Sequence, residues 1–492
     1  MKKEKMAHLL LLIIGGLFLL SAAFQNNLWF DETYSVALVR QPFTQMFTYG
    51  LADVHPMLYY FLLKIYSIFA GTSIIALRIF SVIGAQLLAM LGYTHIRKDF
   101  GNKTGFWFSF MIFATATIFR YAAEIRMYTW LPLFVTLSAI YAYRFFKKTK
   151  EKTFPVKEMV LLSIFGLCAA YTHYFGLIAV CVINAMLFIA LFIKKHKKPA
   201  FIITSAVQIL LYIPGIYFLF KQMQTVNKGF WIHIQYPDVI WETLSFFFLG
   251  DTPDQSAAFT TTDTVKTCFF ILSAILFICC IVRLIQKRAT AAILSLSVFF
   301  AVTAIALIAS QILPTQIYYV RYSLACAGLF AFAFAVAISE FQLRFIKPVF
   351  ALLLICLTVF RAVPFYQTVY SAENNVPEKY LKSRYNQQDV ILTNSMDIAS
   401  VLAVKNPDLK IYYCTRGKEY TLSDAYKIYQ PTITFIDTPD QLPEVSGNIL
   451  IADGWGEDLS QTQIPGYVST EKVTFKTPYH TLHYTFSLLI KN

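Results

Sequence analysis

Long apolar runs, separated by short polar stretches, fill most of positions 1–363. Eleven runs, near 7–24, 74–96, 105–122, 127–146, 159–176, 176–193, 200–220, 266–285, 291–310, 323–339 and 348–363, approach the length a helix needs to cross a bilayer. Two segments depart from this pattern. In the stretch 25–73 only the second half, 56–70 (PMLYYFLLKIYSIFA), is apolar; too short to cross upright, it is predicted to lie as a helix in the membrane interface. From 364 to 492 the apolar stretches shorten to strand length, at 389–393, 410–414, 432–436 and 448–452. A helical pattern covers 397–404, and 479–490 alternates as a strand does. Alternating strand and helix predicts an α/β domain. The expected fold is a polytopic α-helical membrane protein of about eleven spans over 1–363, with an extracytoplasmic α/β soluble domain over 364–492.

Composition supports the membrane reading. Only 14% of residues are charged, where a soluble domain has about 25%. The mean hydropathy is +0.55. These figures exclude a disordered chain and argue against a cytosolic enzyme. The net charge of +14 would suggest nucleic acid in a soluble protein, but its placement explains it here. With the N-terminus inside, the cytoplasmic loops hold twenty-one Lys and Arg and the outer connections nine. That bias orients membrane proteins, so nucleic acid is not an expected partner. An odd number of spans puts the C-terminus outside. The first run follows Lys2, Lys3 and Lys5; because ten more runs come after it, it is read as a retained anchor. Seven of the eight Cys lie in apolar runs, no pair has zinc-ligand spacing, and no disulfide framework is expected.

Charged residues gather at the outer ends of the runs. Asp31 and Glu32 follow the first run, and Asp53 and His55 precede the interfacial helix. Glu124 and Arg126 occupy a tight turn, His173 ends the fifth run and Arg321 begins the tenth. Singly, each has a plain use: Glu32 as a helix cap, Pro56 beside His55 as a helix start, Glu124 with Arg126 as a pair, and His173 and Arg321 at the interface. Together they suit a cavity opening at the outer leaflet, since a charge in hydrocarbon is costly. A transporter more often sets its polar groups at the midplane. Adjacent carboxylates between aromatics and near cations suit a general base. No P-loop, H-E-x-x-H, G-x-S-x-G, Rossmann fingerprint or D-x-D occurs.

Three motifs carry a family resemblance. Phe30-Asp31-Glu32, Asp53-Val54-His55-Pro56-Met57-Leu58-Tyr59-Tyr60 and Glu124-Ile125-Arg126-Met127-Tyr128 resemble, in order and topology, those of the polytopic GT-C glycosyltransferases. The nearest in pattern are the protein O-mannosyltransferase-like family 39 with the bacterial lipid-A aminoarabinose and core-sugar transferases. Thr172-His173-Tyr174 and Arg321-Tyr322 are similar to two looser signatures, and the likeness covers roughly residues 1–340. Met57 replaces the second Pro of the family's H-P-P-L, and Tyr34 stands where the aminoarabinose transferases carry an Arg.

The resemblance implies a hexosyl- or pentosyltransferase. It would move a sugar, with inversion, from a polyprenyl-phosphate-linked donor to an extracytoplasmic glycolipid, cell-wall polymer or protein. It implies Asp31 as the base and Glu32 as the group orienting the acceptor or the arginines. Arg126, Arg321 and His55 would meet the phosphate, Glu124 would hold Arg126, and Asp53, Tyr128 and His173 would border the substrate. No metal or other cofactor is required, although the Asp31–Glu32 pair is compatible with a divalent ion. The expected location is a plasma membrane, crossed many times, with the N-terminus cytoplasmic and the site and C-terminal domain outside. Two other classes fit the sequence: a transporter or flippase of a lipid-linked saccharide, and a non-catalytic scaffold displaying the outer domain.

Overall fold

The structure, a computed structural model, describes residues 2–149, 154–194, 198–226, 232–250, 263–415, 424–454, 459, 462 and 464–492. Lys150, Lys152, Lys195, Lys197 and Lys228, counted in the charge asymmetry, lie outside these residues.

All eleven apolar runs are helical. After α1 (Lys2–Ser21), the first loop folds into α2 (Phe30–Arg40), α3 (Phe43–Leu51) and α4 (Leu58–Ala70). Helix α4 is the short apolar helix expected there, while α2 and α3 were not anticipated. Helix α5 (Ile74–Leu91) continues through a π-helical turn, Gly92–Ile96, into α6 (Arg97–Phe100). The third run is split into α7 (Asn102–Phe113) and α8 (Ala116–Ala122). At the break Thr358 Oγ1 donates to the Ala114 carbonyl at 2.8 Å, satisfying a group the helix no longer can. Then follow α9 (Trp130–Lys148), α10 (Val156–Thr172), α11 (Tyr174–Ile193), α12 (Lys198–Val226) and α13 (Asp238–Leu249). Helices α14 (Asp263–Gln286), α15 (Thr290–Ile312), α16 (Ala327–Glu340) and α17 (Ile346–Val369) complete the bundle, with a 3-10 stretch, Val320–Cys326, leading into α16. Among the described residues seven helical segments are long and apolar enough to cross a membrane. Helices α7, α8 and α10 are shorter. Small residues set the packing: a Cβ on Gly92 would lie 2.4 Å from the Gly105 carbonyl oxygen, so α7 approaches the π-turn at backbone distance.

The C-terminal domain holds α18 (Val376–Arg384), α19 (Met396–Lys405) and a six-stranded sheet. Strands β1 (Val390–Thr393), β2 (Ile411–Cys414), β3 (Ile433–Ile436) and β4 (Ile449–Asp453) run parallel in the order β3-β2-β1-β4. They match the four runs expected, with α19 crossing from β1 to β2. Strand β6 (His483–Lys491) joins β4 antiparallel, and β5 (Tyr467–Lys476) forms the outer edge. β5 was not foreseen, because its sequence, YVSTEKVTFK, is the polar pattern of an edge strand. The alternating run 479–490 is a strand only from His483; Tyr479–Thr481 form a turn in which His480 and Thr481 have φ of 52° and 50°.

The domain sits directly on the first loop. Arg40 Nη1 donates to the Val404 carbonyl at 2.6 Å, and the Thr33 and Tyr429 hydroxyls are 3.1 Å apart.

Candidate active site

Asp31 and Glu32 occupy the first turn of α2. Consecutive helical residues point about 100° apart, and these two carboxylates have separate surroundings. Asp31 is 26% exposed; its Oδ2 lies 3.8 Å from both Arg126 Nη2 and Arg321 Nη1. Glu32 is fully buried. Its Oε1 lies 3.0 Å from Arg78 Nη2 and accepts from the Ile125 amide at 2.9 Å, while its Oε2 accepts from the Tyr479 hydroxyl at 2.9 Å. Arg78, equally buried, also donates to the Ala123 and Asn27 carbonyls at 2.7 Å each. Burial pushes the Glu32 carboxyl up, against the pull of Arg78 and of the Ile125 and Tyr479 donors. Glu32 thus ties α2 to the 123–125 turn and to the C-terminal domain, whereas the resemblance implied a role beside the acceptor or the site's arginines.

Arg126 links the remaining motifs. Its Nη1 donates to the Tyr60 hydroxyl at 3.0 Å and to the Asp31 carbonyl at 3.3 Å, and its Nη2 donates to His55 Nε2 at 3.4 Å. Because an arginine only donates, His55 Nε2 accepts, and its Nδ1–H faces Asp53 Oδ2 at 3.2 Å. Burial raises the Asp53 carboxyl, but His55, the Val54 amide and Arg126 outweigh it and hold the group below the usual carboxylate range. Gln222 of α12 donates to the His55 carbonyl at 3.3 Å and accepts from the Tyr174 hydroxyl. Glu124 does not hold Arg126. Its Oε1 lies 3.7 Å from Arg120 Nε and 3.8 Å from His480 Nε2.

His173 joins α10 to α11 and caps the latter, its Nδ1 accepting from the Phe175 amide at 3.1 Å. A ring nitrogen that accepts carries no proton, so this buried imidazole is neutral. Its proton therefore sits on Nε2, which is buried and has no partner among the described residues. The ring lies 5.6 Å from that of His55, 6.4 Å from Tyr128 and 4.9 Å from Tyr322. Arg321 lies over the rings of Trp29, Tyr128 and Tyr319 at 5.5, 5.9 and 4.6 Å. Trp29 Nε1 and Arg126 Nε are likewise buried without an acceptor among the described residues. Orphaned donors concentrated in one place are a mark of ligand sites.

The nine residues expected from sequence thus lie in one region, with Glu32 and Glu124 as its supports. The C-terminal domain adds groups that sequence reasoning missed. His480 stacks on Trp29, and burial with Arg120, Arg321 and Arg78 nearby keeps it well below the usual range and neutral. Asp397, at the start of α19, is raised to about 6 by burial and by the Asp31 carboxylate. Arg78 carried a signal in sequence, a charge inside an apolar run; His480 and Asp397 carried none. Tyr34, at the position of the family's Arg, donates to the Tyr49 carbonyl at 3.0 Å and joins α2 to α3. Among the described residues no group of three or more His, Cys, Asp or Glu side chains is placed to hold a metal ion.

Sequence comparison finds no family model and no curated protein that matches the chain. Structural comparison does. ArnT from Cupriavidus metallidurans, in its apo state, superposes with a TM-score of 0.59 at 11% identity, over 97% of both chains. The fold is GT-C. The same ArnT bound to undecaprenyl phosphate gives 0.58 at 10% identity, again over 97% of both chains. The archaeal oligosaccharyltransferase AglB from Archaeoglobus fulgidus, in complex with an inhibitory peptide and a dolichol-phosphate, gives 0.50 at 11% identity, over 90% of this chain and 69% of its own. The GT-C likeness to ArnT extends through the C-terminal domain, beyond the region in which the motifs are legible.

Proposed function

We propose that the chain is a membrane glycosyltransferase that moves a sugar from a polyprenyl-phosphate-linked donor to an extracytoplasmic acceptor with inversion. The observation that carries this reading is Asp31 Oδ2 standing 3.8 Å from two arginines on different segments, Arg126 and Arg321. That spacing is too long for hydrogen bonds but close enough for strong attraction. Guanidinium groups suit phosphate oxygens in charge and shape, and two of them converge on Asp31 here. Once they engage phosphate, less of their charge bears on Asp31, and its carboxylate can accept the proton of an attacking hydroxyl. The leaving group is already a phosphate, so stabilising its charge is the main task. His55, oriented by Asp53, adds a polar group beside Arg126. The donors on His173 Nε2 and Trp29 Nε1 suit sugar hydroxyls.

The reading is supported by the shared fold with ArnT, one of whose solved structures holds undecaprenyl phosphate. The transferred unit is a hexose or a pentose, and the acceptor a glycolipid, wall polymer or protein. The proposed location is the plasma membrane, with the site and C-terminal domain outside.

The test is transfer of radiolabelled sugar from a panel of polyprenyl-phosphate donors to membrane extract, with wild type and Asp31→Asn in parallel. Transfer by wild type, reduced at least about 100-fold in Asp31→Asn with donor binding retained, is the expected result. Equal transfer by both removes Asp31 as the base. Donor binding by wild type with no transfer to any acceptor would point to a carrier.

A further inference from the structure

At the other end of the bundle lies an apolar cavity of about 380 Å³, within the range of small-molecule sites. Helices α9, α11, α15 and α16 build it. Helix α11 begins beside His173 and lines the cavity from Ile183 to Lys194, about 14 to 30 Å further along its axis. The two sites therefore belong to opposite leaflets. Ile140, Ile183 and Leu329 line it as buried residues, while Ile193 and Leu294 line it as exposed ones, so the slot opens to the outside of the bundle. Lys194 borders it at the end of α11, and Arg288 precedes its lining residue Thr290 by two positions. Both cations are exposed and have no carboxylate partner among the described residues. Among the basic residues nearby, Arg144 pairs with Asp99, Lys148 with Glu158 and Lys287 with Glu340, while Lys147 lies over the ring of the lining residue Tyr143.

We propose that this cavity binds an anionic phospholipid of the leaflet opposite the Asp31 site, with an acyl chain in the slot and the headgroup phosphate on Lys194 and Arg288. An apolar slot explains a chain but not a preferred headgroup; Lys194 at its rim and Arg288, two residues before its lining Thr290, select negative charge. Basic pockets between membrane helices recognise acidic headgroups in this way. The inference stands on its own residues and does not depend on the reaction at the other end.

The test uses the full-length protein, purified in detergent and stripped of lipid. Phosphatidylglycerol, phosphatidylethanolamine, undecaprenyl phosphate and inorganic phosphate are titrated in turn and read by native mass spectrometry. Phosphatidylglycerol is expected to bind best. The double variant Lys194→Glu/Arg288→Glu is expected to weaken it about 30-fold, from about fivefold per cation. Filling the slot with Ala190→Phe should also weaken it. A measurement on the unaltered protein guards against misfolded variants: phosphatidylglycerol with a photoreactive acyl chain should label Leu187 and Val298. Equal binding of phosphatidylethanolamine, unchanged affinity in the folded double variant, or labelling elsewhere overturns the proposal. Displacement of the label by undecaprenyl phosphate assigns the slot to an isoprenoid chain and overturns it too. Competition by inorganic phosphate alone reduces it to an anion site.

Discussion

Trp29 lies flat on the His480 imidazole, with ring centroids 4.2 Å apart and planes 5° from parallel. The same indole also faces the Arg321 guanidinium, 5.5 Å from its centroid. A cation of the membrane bundle is thus propped, through one ring, by a loop of the C-terminal domain. His480 keeps a left-handed backbone, φ 52°, to make the stack. Such conformations persist where the surroundings enforce them.

His480→Ala should therefore raise the KM for donor about fivefold while kcat changes less, because an aromatic pair contributes about 1 kcal/mol. His480→Phe should restore the KM, since the ring alone is needed. Steady-state kinetics on the three proteins decides it; a loss that Phe does not rescue would assign His480 a polar role.

Glu32 and Arg78 form a buried ion pair. Arg78→Met should cost about 3–5 kcal/mol, the usual penalty for stranding one partner of such a pair. The double variant Arg78→Met/Glu32→Leu should recover part of that loss. Thermal unfolding in detergent reads both, and additive losses would mean that the pair is not coupled.

The Asp397 carboxyl titrates at about 6, where its unperturbed value is 3.8, because burial and the Asp31 carboxylate favour its neutral form. Between these values the native state binds more protons than the unfolded chain. Its contribution to stability is thus complete below about pH 4 and is lost as pH rises through about 6. Asp397→Asn should flatten the pH dependence of Tm across that window and be the more stable protein at pH 7. Parallel slopes for the two proteins would rule this out.

Arg126 meets three different partners through its fork. Arg126→Lys keeps the charge but loses that geometry, and kcat/KM should fall about 100-fold, as when a charge-stabilising donor is removed. Tyr60→Phe, which removes a single hydroxyl contact at 3.0 Å, should cost less than about tenfold. Similar losses in both would place the weight on Tyr60.

Periodicity made the bundle and the parallel strands legible, since each needs a continuous apolar run or stripe. Asp31, His55, Arg126 and Arg321 were legible as charges too costly to leave at the ends of apolar runs without purpose. What escaped was the meaning of proximity. Asp31 and Glu32 look equivalent on paper, yet a turn of about 100° sends one to the arginines and the other to Arg78. Glu124 looked like the partner of Arg126 because they are two residues apart, a spacing that does not face two side chains together. The polar edge strand β5 lacked an apolar run, helix α13 is apolar but too short to cross a bilayer, and nothing local in Tyr479-His480 reveals that they reach back to Glu32 and Trp29.

The hydrogen bond from Tyr479 to Glu32 also has an order in time. Glu32 emerges early in synthesis, whereas Tyr479 follows 447 residues later. Until the last strands have been made and have reached the same side of the membrane, a carboxylate destined for burial lacks one of its donors. A chain that stalls or is cut short in the sheet would keep its motifs and its bundle but carry this unsettled anion, a local defect by which incomplete molecules differ from finished ones.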